Sequence, residues 1–256
     1  VQLSDEPSFQ VRAVVVKLPK ALLPNDTLKI IISYEGFIFG YPEVMAYVRD
    51  KIDETYSLFR PDAFAYPMLA QASWSSNHAA YDTKFTYEIL ATVPKGYTAV
   101  TGGELIRFSV VGPDSTSFVF HSKVPTWRID LAFAKFRVLA DSANKLFICH
   151  LPGDSAGAKR VLVASREAIN FYSGIFGRPK HYQGYTVIEI PDGWGSQASD
   201  FYFLQTAAAF KDSASIGEVY HEIGHSWNVT PTPSVKRCRY FDEAFASFFE
   251  SLAIRK

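Results

Sequence analysis

From Lys84 to Val93 hydrophobic and polar positions alternate. Phe85, Tyr87, Ile89, Ala91 and Val93 fall on one side and Lys84, Thr86, Glu88 and Thr92 on the other, with Leu90 the single exception. A period of two predicts a half-buried strand. Leu28, Ile30, Ile32 and Tyr34 repeat the pattern and predict a strand within Thr27–Gly36, although Ile31 interrupts its polar side. Glu104–Val111 and Thr116–Ser122 flank the turn-forming Gly112-Pro113-Asp114-Ser115, which predicts a hairpin. Ile129, Leu131 and Phe133 alternate again. Strands this closely spaced, with no helical period between them, predict an antiparallel β-sandwich or saddle over residues 1–141.

The texture changes at Asp141-Ser142-Ala143-Asn144, where a domain boundary is expected, give or take several positions. A strand over Lys145–Leu151 is followed by a helical pattern. Leu162, Ile169, Tyr172 and Phe176 share one face of it at 3.6 residues per turn, and Gly177 and Pro179 stop it. Tyr185–Ile190 reads as a strand ended by Pro191, and Ser213–Asn228 and Phe241–Ile254 read as helices. Residues 142–256 are therefore expected to form a second, mixed domain, making the whole an α+β multi-domain chain.

A length of 256 residues accommodates one large domain or two ordinary ones, and a hydrophobic share of 48% supplies a core for either. Twenty-six basic residues balance 26 acidic ones, leaving no net field to hold a polyanion, so nucleic acid is not an expected partner. No apolar run approaches the roughly 18 residues of a membrane helix. Cys149 and Cys238 are the only cysteines, too few for a disulfide framework or a thiolate zinc site, and are expected to be unrelated thiols. They leave the compartment open: an envelope, secreted or cytoplasmic location fits equally. Val1 is not an initiator Met and the last helical pattern is unfinished at Lys256, so both ends are expected to be cut.

The segment His221-Glu222-Ile223-Gly224-His225 carries the chemistry. Residues four apart lie one turn apart on one helix face, so both imidazoles point the same way, as two ligands of a tetrahedral ion would. Glu222 sits about 100° around the helix from His221, near such an ion but off the ligand line. There it suits the general base that takes a proton from a zinc-bound water. A third ligand is needed, and no His follows His225. A carboxylate from a following helix is the other solution, with two His, one Glu and an open fourth position, and Glu243 supplies it across a Pro-containing loop. Ile216, Val219 and Ile223 would equally make the helix an ordinary core element, with its histidines in a groove. Glu250, seven residues beyond Glu243 on the same face, is a fallback ligand or a supporting carboxylate. His78, His121, His150 and His181 have no partner at metal spacing, and Trp227 is expected to pack beneath the site.

At these residues the chain resembles the aminopeptidase N family of gluzincin peptidases, which includes leukotriene hydrolase. His221 through Trp227 looks like that family's HExxHxW, and Asp242-Glu243-Ala244-Phe245-Ala246-Ser247 looks like its NEGFAS. Phe85–Thr101 resembles the strand and VPK turn ahead of its catalytic domain, and Phe171–Gly177 with Tyr185–Asp192 its helix-strand unit. The resemblance implies a β-saddle domain, incomplete at its start, followed by a thermolysin-like zincin domain, incomplete at its end. It further implies one zinc ion held by His221, His225 and Glu243, with Glu222 as general base, and a peptide substrate.

Three departures stand out. Seventeen residues, not the family's eighteen, separate His225 from Glu243, which a loop absorbs. Where the family's GAMEN strand offers a Glu to the peptide's free amine, this chain has Gln197-Ala198-Ser199-Asp200, and Asp200 is either the candidate to supply that charge or a strand-end cap. The family's transition-state tyrosine would lie past Lys256, so this chain is expected to bind zinc and turn over peptides poorly. The altered strand also leaves open a weakly catalytic peptide-binding module, and the family's range leaves open a hydrolase of non-peptide substrates.

Overall fold

The computed structural model describes residues 2–6, 11–38, 46, 48–63, 65–68, 84–227 and 239–255. His78 and Cys238 lie outside these. The described strands are β1 (Gln2–Glu6), β2 (Val11–Val15), β3 (Ser57–Phe59), β4 (Glu88–Pro94), β5 (Thr98–Thr101), β6 (Glu104–Val111), β7 (Ser115–His121), β8 (Leu131–Ala134), β9 (Arg137–Asp141), β10 (Leu146–His150), β11 (Tyr185–Ile190), β12 (Gln197–Ser199) and β13 (Tyr202–Thr206). The helices are α1 (Ser155–Phe176), α2 (Ala207–Lys211), α3 (Gly217–Gly224) and α4 (Arg239–Ile254). The architecture is mixed α and β.

Apart from the β1–β2 hairpin, the layers stack in order. The outermost sheet, β4-β7-β6, is antiparallel throughout. Its inner face carries Ala91, Val93, Phe118 and Phe120, while Leu90, the exception to the alternation, is 68% exposed on the other face. These side chains pack with Ala99, Leu131 and Phe133 of the second antiparallel sheet, β3-β8-β5. That sheet turns its other face, with Leu58, Val100, Ala132 and Ala134, onto Ile188, Ile190, Tyr202 and Leu204 of the third sheet. The third sheet has the order β12-β13-β11-β10-β9, with β10, β11 and β13 parallel and both edge strands antiparallel. Parallel strands covered on both faces are largely apolar, and every residue of β11 and β13 is buried, the polar Thr186, Glu189, Gln205 and Thr206 included. The helices form the last layer: Val161, Ala168, Tyr172, Val219, Ile223 and Phe249 close over Val187 and Phe203.

Buried polar ties fix the second sheet to the third. Arg128 binds Asp130 and Asp62, and Asp130 accepts from Tyr202 Oη at 2.7 Å. Arg60 pairs with Asp50 and donates to the Trp194 carbonyl at 2.8 Å. Unpaired, charges this deep would be untenable; paired, they hold one geometry.

One sequence expectation needs correction. Thr27–Gly36 forms no strand: it is exposed coil, with Ile31 77% and Tyr34 64% exposed. Alternation describes a strand with one buried face, and no described neighbour covers this one. β9 pairs with β10 from Arg137 onward, within several positions of the boundary expected near 141. The sheet that carries the site therefore begins at Arg137.

Candidate metal centre

α3 is anchored by Val219 and Ile223, both fully buried against α1 and the third sheet, which turns the histidines of the helix away from that core. The helix ends at Gly224, and His225 opens a short 3-10 turn through Trp227. The Trp227 indole donates to the Gly177 carbonyl at 2.8 Å and lies against Tyr172, so the turn is pinned from below. α4 runs antiparallel to α3 at close range. Gly224 lies against Ala246 and Phe249, and a Cβ at Gly217 would come within 2.7 Å of Glu250 Oε1. Small residues at both ends of α3 let α4 come near enough for its carboxylates to reach the histidines.

His221 Nε2 lies 3.3 Å and His225 Nε2 3.7 Å from Glu243 Oε2. One donor atom from each of the three residues falls within 4.8 Å of the others. Donors about 2.0–2.1 Å from a tetrahedral zinc stand roughly 3.3 Å apart. The residues therefore fit the ion. The opposite ring nitrogens are held as well: His225 Nδ1 by Asp242 Oδ1 at 3.2 Å, and His221 Nδ1 by Glu250 Oε2 at 3.4 Å. Carboxylates behind ligating imidazoles fix the tautomer and the ring orientation. Glu250 thus stands behind a candidate ligand and lies outside the convergent triad.

Glu222 is 7% exposed, and its Oε2 has no hydrogen-bond partner. Burial pushes its carboxyl up from 4.5 to about 7; Glu243 and Glu218 add to that, and the two histidines oppose it. A group balanced near neutrality can both take and return a proton. Burial alone would depress His221, but the Glu243 hydrogen bond and the charges of Glu222, Glu243 and Glu250 outweigh it and hold the imidazole above 6.5. The same negative field would attract a dication.

A cleft of about 790 Å³ opens beside His221 and Glu222, with Gly193, Gly195, Ser196 and Thr206 on its sheet side. Of the expected substrate strand, Gln197, Ala198 and Ser199 form β12, the half-buried edge strand next to β13. Asp200 is elsewhere. It pairs with Lys84 at 3.3 Å and lines a separate small pocket with Tyr87, Lys123 and Tyr202. The left-handed backbone at Phe201 (φ 61°) turns the chain sharply there.

Sequence reasoning missed Glu218, Asp192 and Arg49 in the cleft, and Asp242 behind His225. Glu218 precedes Glu222 by four positions, a spacing that places both on one helix face and was readable in advance. Arg49 carried no such signal. His121 sits on Glu88 at 2.7 Å, and His150 bonds the Leu151 carbonyl, both away from the triad.

No known protein family matches this chain, and no curated protein matches it.

Proposed function

We propose that this chain is a zinc-dependent metallopeptidase that hydrolyses peptide bonds, with the thermolysin-like catalytic arrangement its motifs resemble. The observation that carries the reading is the convergence of His221, His225 and Glu243 beside a buried carboxylate whose Oε2 has no partner. His221, His225 and Glu243 would hold the ion. Bound zinc supplies Lewis-acid polarisation of the scissile carbonyl and of the attacking water. Glu222, buried beside the two histidines with its Oε2 unpartnered, would take the proton of that water and pass it to the leaving amine. β12 offers its outer edge for main-chain pairing with an extended peptide, which sets register without reading side chains. Because Asp200 is engaged by Lys84, aminopeptidase-like trimming draws no support from that residue.

The test is metal analysis joined to cleavage of a mixed peptide library. The purified chain is expected to hold one zinc, to lose it with Glu243→Ala, and to keep it with Glu222→Gln while losing cleavage. Zinc-loaded protein that binds peptides without cutting them would point to a binding module instead. No zinc uptake at all would end the proposal.

A further inference from the structure

The cleft has a feature that hydrolysis at the metal does not use. Glu218 stands one turn before Glu222 on α3, and its Oε2 accepts from Gln205 Nε2 at 2.7 Å, Thr206 Oγ1 at 3.1 Å and Ser196 Oγ at 3.2 Å. All three donors are neutral, and among the described residues no lysine or arginine pairs with it. Gln205 is fully buried, with its Nε2 spent on Glu218 and Ser196 and its Oε1 without a donor. Glu222 Oε2 likewise lacks one. Asp192 and Glu250 line the same cleft with the Arg49 guanidinium, but Asp192 pairs with Lys211 and Glu250 with His221, both at 3.4 Å, which leaves Glu218 the carboxylate held by neutral donors alone. Arg49 is exposed and gives its Nε to the Ala46 carbonyl. The corner around Glu218 is therefore rich in acceptors and short of positive charge, an arrangement that a cationic, donor-rich ligand group completes.

We infer that Glu218 is a specificity-determining residue that receives the basic side chain, lysine or arginine, of a substrate residue beside the scissile bond. This rests on the peptidase reading of the same cleft. Spacing favours a side chain over a free amino terminus. An α-ammonium lies two bonds, about 2.5 Å, from the carbonyl carbon of its own residue, so it stays next to the metal and Glu222. Glu218 is four residues, about 6 Å, back along α3 from Glu222, a distance that a four-carbon stem spans. The three neutral donors hold the carboxylate in place beforehand, so little ordering is lost when the cation arrives.

The test reads binding, not turnover. Nα-acetyl-lysinamide, Nα-acetyl-norleucinamide and norleucinamide are titrated against the zinc-loaded whole chain and its Glu218→Gln variant. The lysine probe is expected to bind about tenfold more tightly than its acetylated norleucine counterpart, and to lose that margin in Glu218→Gln. Equal affinity of the two acetylated probes would overturn the inference. So would a margin that survives Glu218→Gln, or one gained only by norleucinamide with its free amine. Zinc content reports whether Glu218→Gln keeps the site intact; if it does not, Glu218→Asp must retain a preference for lysine, and its loss there counts against the inference. Lysine binding that depends on Glu218 in a protein that cuts no peptide would sink the peptidase reading alone.

Discussion

Asp242 Oδ1 lies 3.2 Å from His225 Nδ1, so the residue just before the third candidate ligand orients the second. One turn of α4 thereby supplies a candidate ligand and the group that holds its neighbour. Breaking that contact leaves all three ligands present but frees one ring to rotate. Asp242→Ala is expected to weaken zinc binding by about 10- to 100-fold while the chain stays folded. Competition with a chelator of known affinity measures this. An unchanged affinity would mean that packing alone holds the ring.

Asp130 accepts from Arg128 and from Tyr202, and it is 1% exposed. Asp130→Ala strands a fully buried guanidinium between the second and third sheets. A loss of about 3–5 kcal/mol is expected, because removing one partner leaves the other charge buried without full compensation. Denaturant unfolding monitored by tryptophan fluorescence reads it; a change under 1 kcal/mol would show that Asp62 suffices alone.

Gly157 opens the first turn of α1 against the end of α2, and a Cβ built there would sit 1.8 Å from the Phe210 carbonyl oxygen. Backbone cannot swing aside as a side chain does, so the two helices must separate. Gly157→Ala is expected to destabilise by about 1–3 kcal/mol, lowering the melting temperature by several degrees. No shift on calorimetry would contradict the tight approach.

The legible and illegible parts of the molecule divide on physical lines. His221, Glu222 and His225 were readable because helix geometry alone converts a spacing of four into a shared face, and Val219 and Ile223 fixed which face was buried. Glu243 was readable as a carboxylate on the next helix, although only the fold brings it to 3.3 Å from His221. Thr27–Gly36 was misread because alternation states what a strand would bury and cannot state that a partner exists. Glu218 passed unnoticed because an acidic residue in a first helical turn already has a bland explanation in the helix dipole. Its role depends on Gln205 and Thr206, which a sheet places beside it. Asp200 was placed by counting along the chain, and the turn at Phe201 sends it to Lys84 instead.

Glu189 lies at the centre of the third sheet and is fully buried, its Oε2 accepting the Leu151 N–H at 2.7 Å. Burial outweighs that hydrogen bond and, with the nearby Asp154 carboxylate, raises the Glu189 carboxyl from 4.5 to about 8. The unfolded chain releases this proton near pH 4.5, while the native state keeps it until about pH 8. Across that window the native state binds more protons, so stability falls as pH rises. The contribution is fully present below 4.5 and lost on passing through about 8. Glu189→Gln keeps an acceptor for Leu151 and cannot ionise. The variant is therefore expected to flatten the stability profile, gaining over the parent at pH 8 and little at pH 4.5. Thermal or urea unfolding across that range decides it: parallel profiles for parent and variant would mean that Glu189 ionises in the native state as it does in the unfolded chain, and that its burial carries no linkage.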